Sequence, residues 1–336
     1  MNSVNAKPVC GRLARAKEVR ITVPSILSLG CRQWNPEIKQ VWGVTAGIAS
    51  VLSRLDLARP GILPDLRSGP TLLLVSDYGG QHAGTVHETF SFLLADLKYC
   101  RLWDEMRRNV RTRFLRDNRR MCYKGMNDRR KRSALLPFLD AAGSIAGLLA
   151  TISIEKEFAS GLRLEAAERD SLPDAVRRWP AHVIRRFIRI AHFGAVLIAG
   201  LSRVQQNLLW FTDEDDIAAN NKRVIDATPL VAGILSDYLA HDMGHLRFGT
   251  TKCDNGDLFI EDFAAIPDLA AGALAEIPKV GAVRTALRGR VPWKALNILS
   301  WLGSPSSVLC KVSLVVSQGD SVGHVKVRAL DLDTMA

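Results

Sequence analysis

The stretch TLLLVSDYGGQ, residues 71 to 81, decides how the rest of the chain is read. The apolar run Leu72 to Val75 predicts a strand buried on both faces, and Ser76, Asp77, Gly79 and Gly80 end it in a turn. An acid therefore stands where the strand emerges. Ligands of open α/β sheets collect outside the carboxyl ends of strands, which makes Asp77 a candidate for chemistry. The same pattern recurs twice. GLLATISIE ends on Glu155, and the run from Leu208 to Phe211 opens into Asp213, Glu214, Asp215 and Asp216.

Helices are expected between these strands. One covers residues 37 to 57, one the first half of residues 101 to 132, one runs from about Arg130 to Ala142, and others occupy 173 to 202 and 217 to 240. TVHETFSFLLAD, joined to the first strand by a short connection, predicts an antiparallel partner. HLRFGTT is a short strand, and LFIEDFAAIPDLAAGALAEIP offers Glu261, Asp262 and Asp268, the last just inside a helix that Pro267 is expected to begin. Trp293 and Trp301 lie on a further helix, and two alternating strands around Gln318-Gly319-Asp320 predict a closing hairpin. Strands alternating with helices imply an α/β fold whose sheet is largely parallel after the opening hairpin. In such a sheet Asp77, Glu155 and Asp213 leave at one edge. Asp268 joins them from a helix.

The chain has 336 residues, 47% of them hydrophobic, enough to bury a sizeable core. Residues 1–69 read as a basic arm and helical extension, 70–278 as the main domain, and 279–336 as a C-terminal helix and hairpin extension. The six cysteines are scattered without a CxxC pair and the first residues lack a secretory pattern, so a reduced, cytoplasmic protein is expected. The apolar stretch from Ala134 to Ile154 is broken by Pro137, Asp140 and Gly143, so no membrane span is predicted.

The formal charge is +11, and residues 101–132 carry eleven Arg and two Lys against four acids. Leu102, Met106, Val110 and Phe114 recur every four residues and predict an apolar stripe under an exposed arginine face. Arg107, Arg108, Arg111, Lys124, Arg129 and Arg130 are the expected contacts to a nucleic-acid backbone, because arginine grips phosphate bidentately and several contacts together release counterions. DNA and RNA are not distinguished.

Crowded carboxylates repel one another unless they hold protons or hard divalent cations. Asp77, Asp213 and Asp268, with Asp262, are therefore candidate ligands for Mg2+ or Mn2+. Two such ions about 3.5 to 4 Å apart could drive phosphodiester hydrolysis. Glu155 is a further candidate catalytic residue, and Glu155 or Asp262 could assist. A rival motif is His241-Asp242-Met243-Gly244-His245: two histidines four apart on a helix, with Glu261 as a third ligand, would suit zinc.

Asp77 with its glycines, the strand hairpin, Tyr123-Lys124-Gly125 before a helix, the later strand ending in Asp213, and IPDLAAGAL together resemble the ribonuclease H-like superfamily. More narrowly, they resemble a bacterial family of unknown function within it, whose first strand typically carries Asp-Glu-Ser-Gly. The likeness spans roughly residues 70 to 278. It implies a mixed sheet flanked by helices, and a metal-dependent nuclease with Asp77 as first-strand ligand, Asp213 as the middle one and Asp268 as the helix-borne one. The chain departs in having Tyr78 where that family often has Glu, and Ile266-Pro267 where it has Leu-Ala. The alternative is a catalytically inactive descendant that binds nucleic acid or a protein partner, and the terminal extensions could support a homo-oligomer.

Overall fold

A computed structural model describes residues 34, 43–59, 61–161, 169–214, 216–254, 256–277, 291–305, 308–319, 325–330 and 332. The expected basic arm of the first residues lies outside these. Among the described residues, seven strands form one mixed sheet in the order β5-β4-β1-β2-β3-β6-β7, flanked by helices, so the chain is an α/β protein. The strands are β1 (Thr71–Gly79), β2 (His87–Asp96), β3 (Gly147–Glu155), β4 (Asn207–Thr212), β5 (Leu246–Thr250), β6 (Cys310–Gln318) and β7 (Val325–Ala329). The longer helices are α1 (Gly43–Ala58), α2 (Arg101–Phe114), α3 (Arg129–Ala142), α4 (Ala181–Leu201), α5 (Asn221–Tyr238), α6 (Phe259–Ala275) and α7 (Trp293–Gly303).

β1, β2 and β3 form an antiparallel meander. β4 runs parallel to β1, β5 parallel to β4, and β6 parallel to β3, so only β2 and β7 run against the common direction. The expected sheet is largely parallel beyond its opening hairpin; the observed one is mixed, with three parallel and three antiparallel strand pairs, because β3 as well as β2 belongs to the antiparallel meander. The closing hairpin is also present, but β6 pairs with β3 and so continues the central sheet.

Side-chain alternation along β1 divides the core. Leu72 and Leu74 face a layer built from α1, α4 and α5, whereas Leu73 and Val75 face one built from α2, α3, α6 and α7. Trp210 and Phe193 anchor the first layer; Trp103, Phe138 and Phe263 anchor the second. Both faces of the central strands are therefore buried, as the unbroken apolar run from Leu72 to Val75 predicts. Asp77 continues the Leu73-Val75 alternation and belongs to the α6 face.

The glycines closing β1 are required by close approaches. A Cβ on Gly79 would come within 2.8 Å of the Ala271 carbonyl oxygen, so the missing side chain lets α6 lie against the strand end. Gly80 has φ +80°, and a Cβ there would meet the His87 carbonyl oxygen at 2.0 Å. The turn into β2 depends on it.

Among the described residues, no helix is long and apolar enough to cross a membrane. The four described cysteines, Cys100, Cys122, Cys253 and Cys310, are free thiols.

Candidate functional site

Register brings the first two acids together. β1 and β4 pair in parallel with Ser76 opposite Thr212, so the next residues, Asp77 and Asp213, emerge side by side. Ser76, Tyr78 and Thr212 share the opposite face: the Tyr78 hydroxyl lies 2.7 Å from Ser76 Oγ and 3.2 Å from Thr212 Oγ1, and Trp210 Nε1 donates to Ser76 Oγ at 3.0 Å. Tyr78 packs against the α4 layer. An acid at position 78 would share that face, so the tyrosine removes no carboxylate from beside Asp77.

The third acid arrives on α6. This helix does not begin at Pro267 as expected. It runs from Phe259, with Pro267 inside it, and Asp268 projects from its middle. An apolar run from Phe263 to Ile266 holds the helix in the core, and that burial outweighs the loss of one backbone donor at the proline. Asp268 is thus no helix cap. Nor is Asp213, since Asn220 caps α5 by accepting the Arg223 backbone N–H at 2.9 Å.

The Asp77 side chain neighbours Asp268 closely enough to influence its ionisation. Burial lifts the Asp268 pKa from its ordinary 3.8 to about 6; the nearby Asp213 charge adds to the rise, while the Tyr123 backbone N–H, Lys124 and Asp77 oppose it. The Tyr123 N–H donates to Asp268 Oδ2 at 2.5 Å. Two neighbouring carboxylates repel unless a proton or a cation comes between them, so as pH falls through about 6 the pair can take up a proton where a cation would otherwise neutralise it. Among the described residues, no three His, Cys, Asp or Glu side chains are already arranged around a metal position.

Glu155 does leave β3 at the same sheet edge, but away from this group. Asp77 pairs with Ser91 and Ser91 with Thr151, whereas Glu155 pairs with His87. It lies two strands across and four residues beyond the level of Asp77, roughly 15 Å away at strand spacing. Its charge acts on the buried His87, whose pKa is lowered by burial and partly restored by Glu155.

Asp262 also departs from expectation. Its fully buried carboxylate is gripped by Arg111, with Nε at 2.6 Å from Oδ2, and by Arg107 Nη1 at 3.2 Å. Burial raises its pKa and the two guanidiniums pull it back down. Arg107 and Arg111 are consequently 1% and 8% exposed and do not belong to an outward arginine face. The buried stripe of α2 is Trp103, Arg107, Val110 and Arg111, while Leu102 is 53% exposed. Trp103 sets this rotation by packing 5.6 Å from the rings of both Phe138 and Phe263. Arg108, Lys124, Arg129 and Arg130 are exposed as expected; Arg108 pairs with Asp104 at 3.0 Å and Arg130 with Asp117 at 2.8 Å.

The acid that sequence reasoning placed less well is Glu261. It precedes Asp268 by seven residues, about two turns, and so shares its helix face. Asp213 acts on both: its charge contributes to the raised pKa of Glu261, for which burial is the main cause. That spacing is visible in the sequence once the helix is known to start before Glu261.

The histidine motif is not helical. α5 ends at Tyr238, and His241 to His245 form the loop into β5. His241 is buried with Nε2 3.1 Å from Ser202 Oγ, whereas His245 is exposed. Glu261 follows the far end of β5, at the opposite sheet edge, so this zinc set does not assemble.

Site and sheet together define the chain as an α/β protein with a carboxylate cluster at the carboxyl edge of a seven-stranded mixed sheet. No protein-family model matches the chain, and no curated protein or solved structure matches it.

Proposed function

We propose that the chain is a ribonuclease H-like, divalent-metal-dependent nuclease that hydrolyses phosphodiester bonds of DNA or RNA. The observation that carries this reading is the convergence of Asp77, Asp213 and Asp268 at one sheet edge, where burial and the Asp213 charge raise the Asp268 pKa. Hairpin β1–β2, the strand ending in Asp213 and the helix bearing Asp268 are also the features on which the resemblance rests. The donors are all carboxylate oxygens, which suit Mg2+ or Mn2+ better than softer ions. Asp77, Asp213 and Asp268 would hold the metal, which when bound would supply an activated water and neutralise charge developing on the phosphodiester.

The protein contributes the frame. Parallel pairing of β1 and β4 fixes two carboxylates side by side, and the glycine at position 79 lets α6 bring the third close. Tyr123 N–H orients Asp268, while Lys124 offers it a positive charge from an exposed position. Exposed Arg129, and Arg108 and Arg130 on exchanging their surface pairs with Asp104 and Asp117, would contact the phosphate backbone beyond the cluster.

The test is incubation of purified protein with DNA and with RNA, with Mg2+ or Mn2+ and with a chelator. Cleavage only in the metal-containing samples, abolished in a folded Asp77→Ala variant, is the expected result. Equal cleavage by wild type and Asp77→Ala overturns the assignment.

A further inference from the structure

The segment between α2 and α3 is fastened to the acid cluster at two points. Tyr123 N–H binds Asp268, and Arg120 Nη2 lies 2.7 Å from Glu261 Oε1. The two acids stand on one face of α6. The segment is braced from within, because Arg119 bridges Asp117 and Asp128, Asp128 caps α3 through the N–H groups of Arg130 and Lys131, and Arg111 donates to the Arg119 carbonyl oxygen at 3.4 Å.

This bracing places two cations against the cluster. Lys124 is exposed and acts on Asp268; Arg120 has a side chain 52% exposed, paired with a Glu261 side chain only 7% exposed. Glu261 in turn feels Asp213. A single Arg–Glu contact leaves other guanidinium donors of Arg120 for a second acceptor. A guanidinium with spare donors, held at the rim of a carboxylate group, is suited to a phosphate oxygen, which it can engage bidentately.

Resting on the nuclease reading, we propose that Arg120 contacts the backbone phosphate of a nucleic acid strand lying over the cluster, and that Glu261 is the positioning residue that holds it there. Arg120 thereby takes the phosphate-contacting role for which Arg107 and Arg111, being spent on Asp262, are not available. Glu261 sits below the cation as an orienting acceptor rather than as a competitor at the surface.

The test measures binding of fluorescein-labelled single-stranded and duplex DNA by anisotropy over a salt series, with Ca2+ as the hard divalent cation. Wild type is compared with Arg120→Ala and Glu261→Gln, each first shown to melt cooperatively like wild type. Arg120→Ala is expected to weaken binding about tenfold. It should also flatten the salt dependence by about 0.9 for duplex or about 0.7 for a single strand, the loss of one phosphate contact. Glu261→Gln keeps an acceptor oxygen for Arg120 while removing an opposing charge, so its affinity should equal or exceed that of wild type.

If wild type binds and Arg120→Ala keeps the same salt slope, the Arg120 assignment is overturned while the nuclease reading stands. Parallel weakening by Arg120→Ala and Glu261→Gln overturns it too, since that is the behaviour of a pair that only stabilises the segment. Failure of wild type to bind either DNA or a matching RNA overturns both readings.

Discussion

Asp268 is the residue on which the site turns. Its raised pKa means that the folded protein keeps a proton that the unfolded chain gives up near pH 4. The favourable contribution is complete below the unfolded value and is lost as pH rises from about 4 to about 6, after which the carboxylate is a charged, poorly solvated group. In chelator, Asp268→Asn should therefore gain thermal stability relative to wild type at pH 7 and show little gain at pH 4.5. Melting curves at the two pH values check this, and a gain confined to the lower pH contradicts it. His192 has the opposite linkage: burial lowers its pKa to about 4, so its contribution is present above its ordinary value near 6.5 and is lost as pH falls through 4. The two groups partly offset each other between pH 4 and 6, which makes the Asp268→Asn comparison more informative than the wild-type pH profile alone.

Tyr78 carries a separate expectation at the same scale. Its hydroxyl bonds Ser76 and Thr212 on the face away from Asp77. Tyr78→Phe should cost about 1 kcal/mol of stability and leave metal binding unchanged. Denaturant unfolding and calorimetry measure the two effects separately; a loss of metal affinity would place the hydroxyl nearer the acid cluster than the register does.

Among the elements, α2 and α6 are joined by charge inside the core. Arg111 and Arg107 satisfy the buried Asp262, and Arg107 also stacks with its guanidinium 5.0 Å from the Phe259 ring centre. Arg111→Ala leaves that carboxylate short of its main partner and should destabilise the fold by about 3 to 5 kcal/mol, measured by denaturant unfolding. A loss under 1 kcal/mol would mean that the pair is not buried as described.

This junction also explains what sequence reading reached and what it did not. Apolar runs ending in polar residues gave β1, β3 and β4 and their common direction, because a strand buried on both faces must be apolar along its whole length. The α2 stripe was misread because a buried arginine has the same letter as a solvated one, and only a carboxylate on another helix, Asp262, takes it inside. The start of α6 was misread because Pro267 is a strong local signal, yet the apolar residues before it extend the helix into the core. Asp77, Asp213 and Asp268 were legible as a set; the exclusion of Glu155 depended on strand register, which lies in pairing rather than in any one segment. Glu261 was hidden by the misplaced helix start.

At the scale of the whole molecule, the sheet separates two tasks. The layer of α1, α4 and α5 is apolar support, with a long buried helix behind the central strands. The layer of α2, α3, α6 and α7 borders the acids, with Arg120 paired to Glu261 and Lys124 acting on Asp268. Acids and these two cations on one face are the arrangement on which the proposed binding of a polyanion rests.

The central claim is that the proton the Asp77–Asp268 pair takes up as pH falls through about 6 stands where a metal binds. Calorimetric titration of Mn2+ into wild type and into Asp268→Asn, in two buffers of different ionisation enthalpy, tests it most directly. At pH 6 the wild type should take up Mn2+ with release of protons, and the variant should bind at least tenfold more weakly without that release. Equal uptake by both proteins, or no uptake by the wild type even at pH 8, would contradict the account.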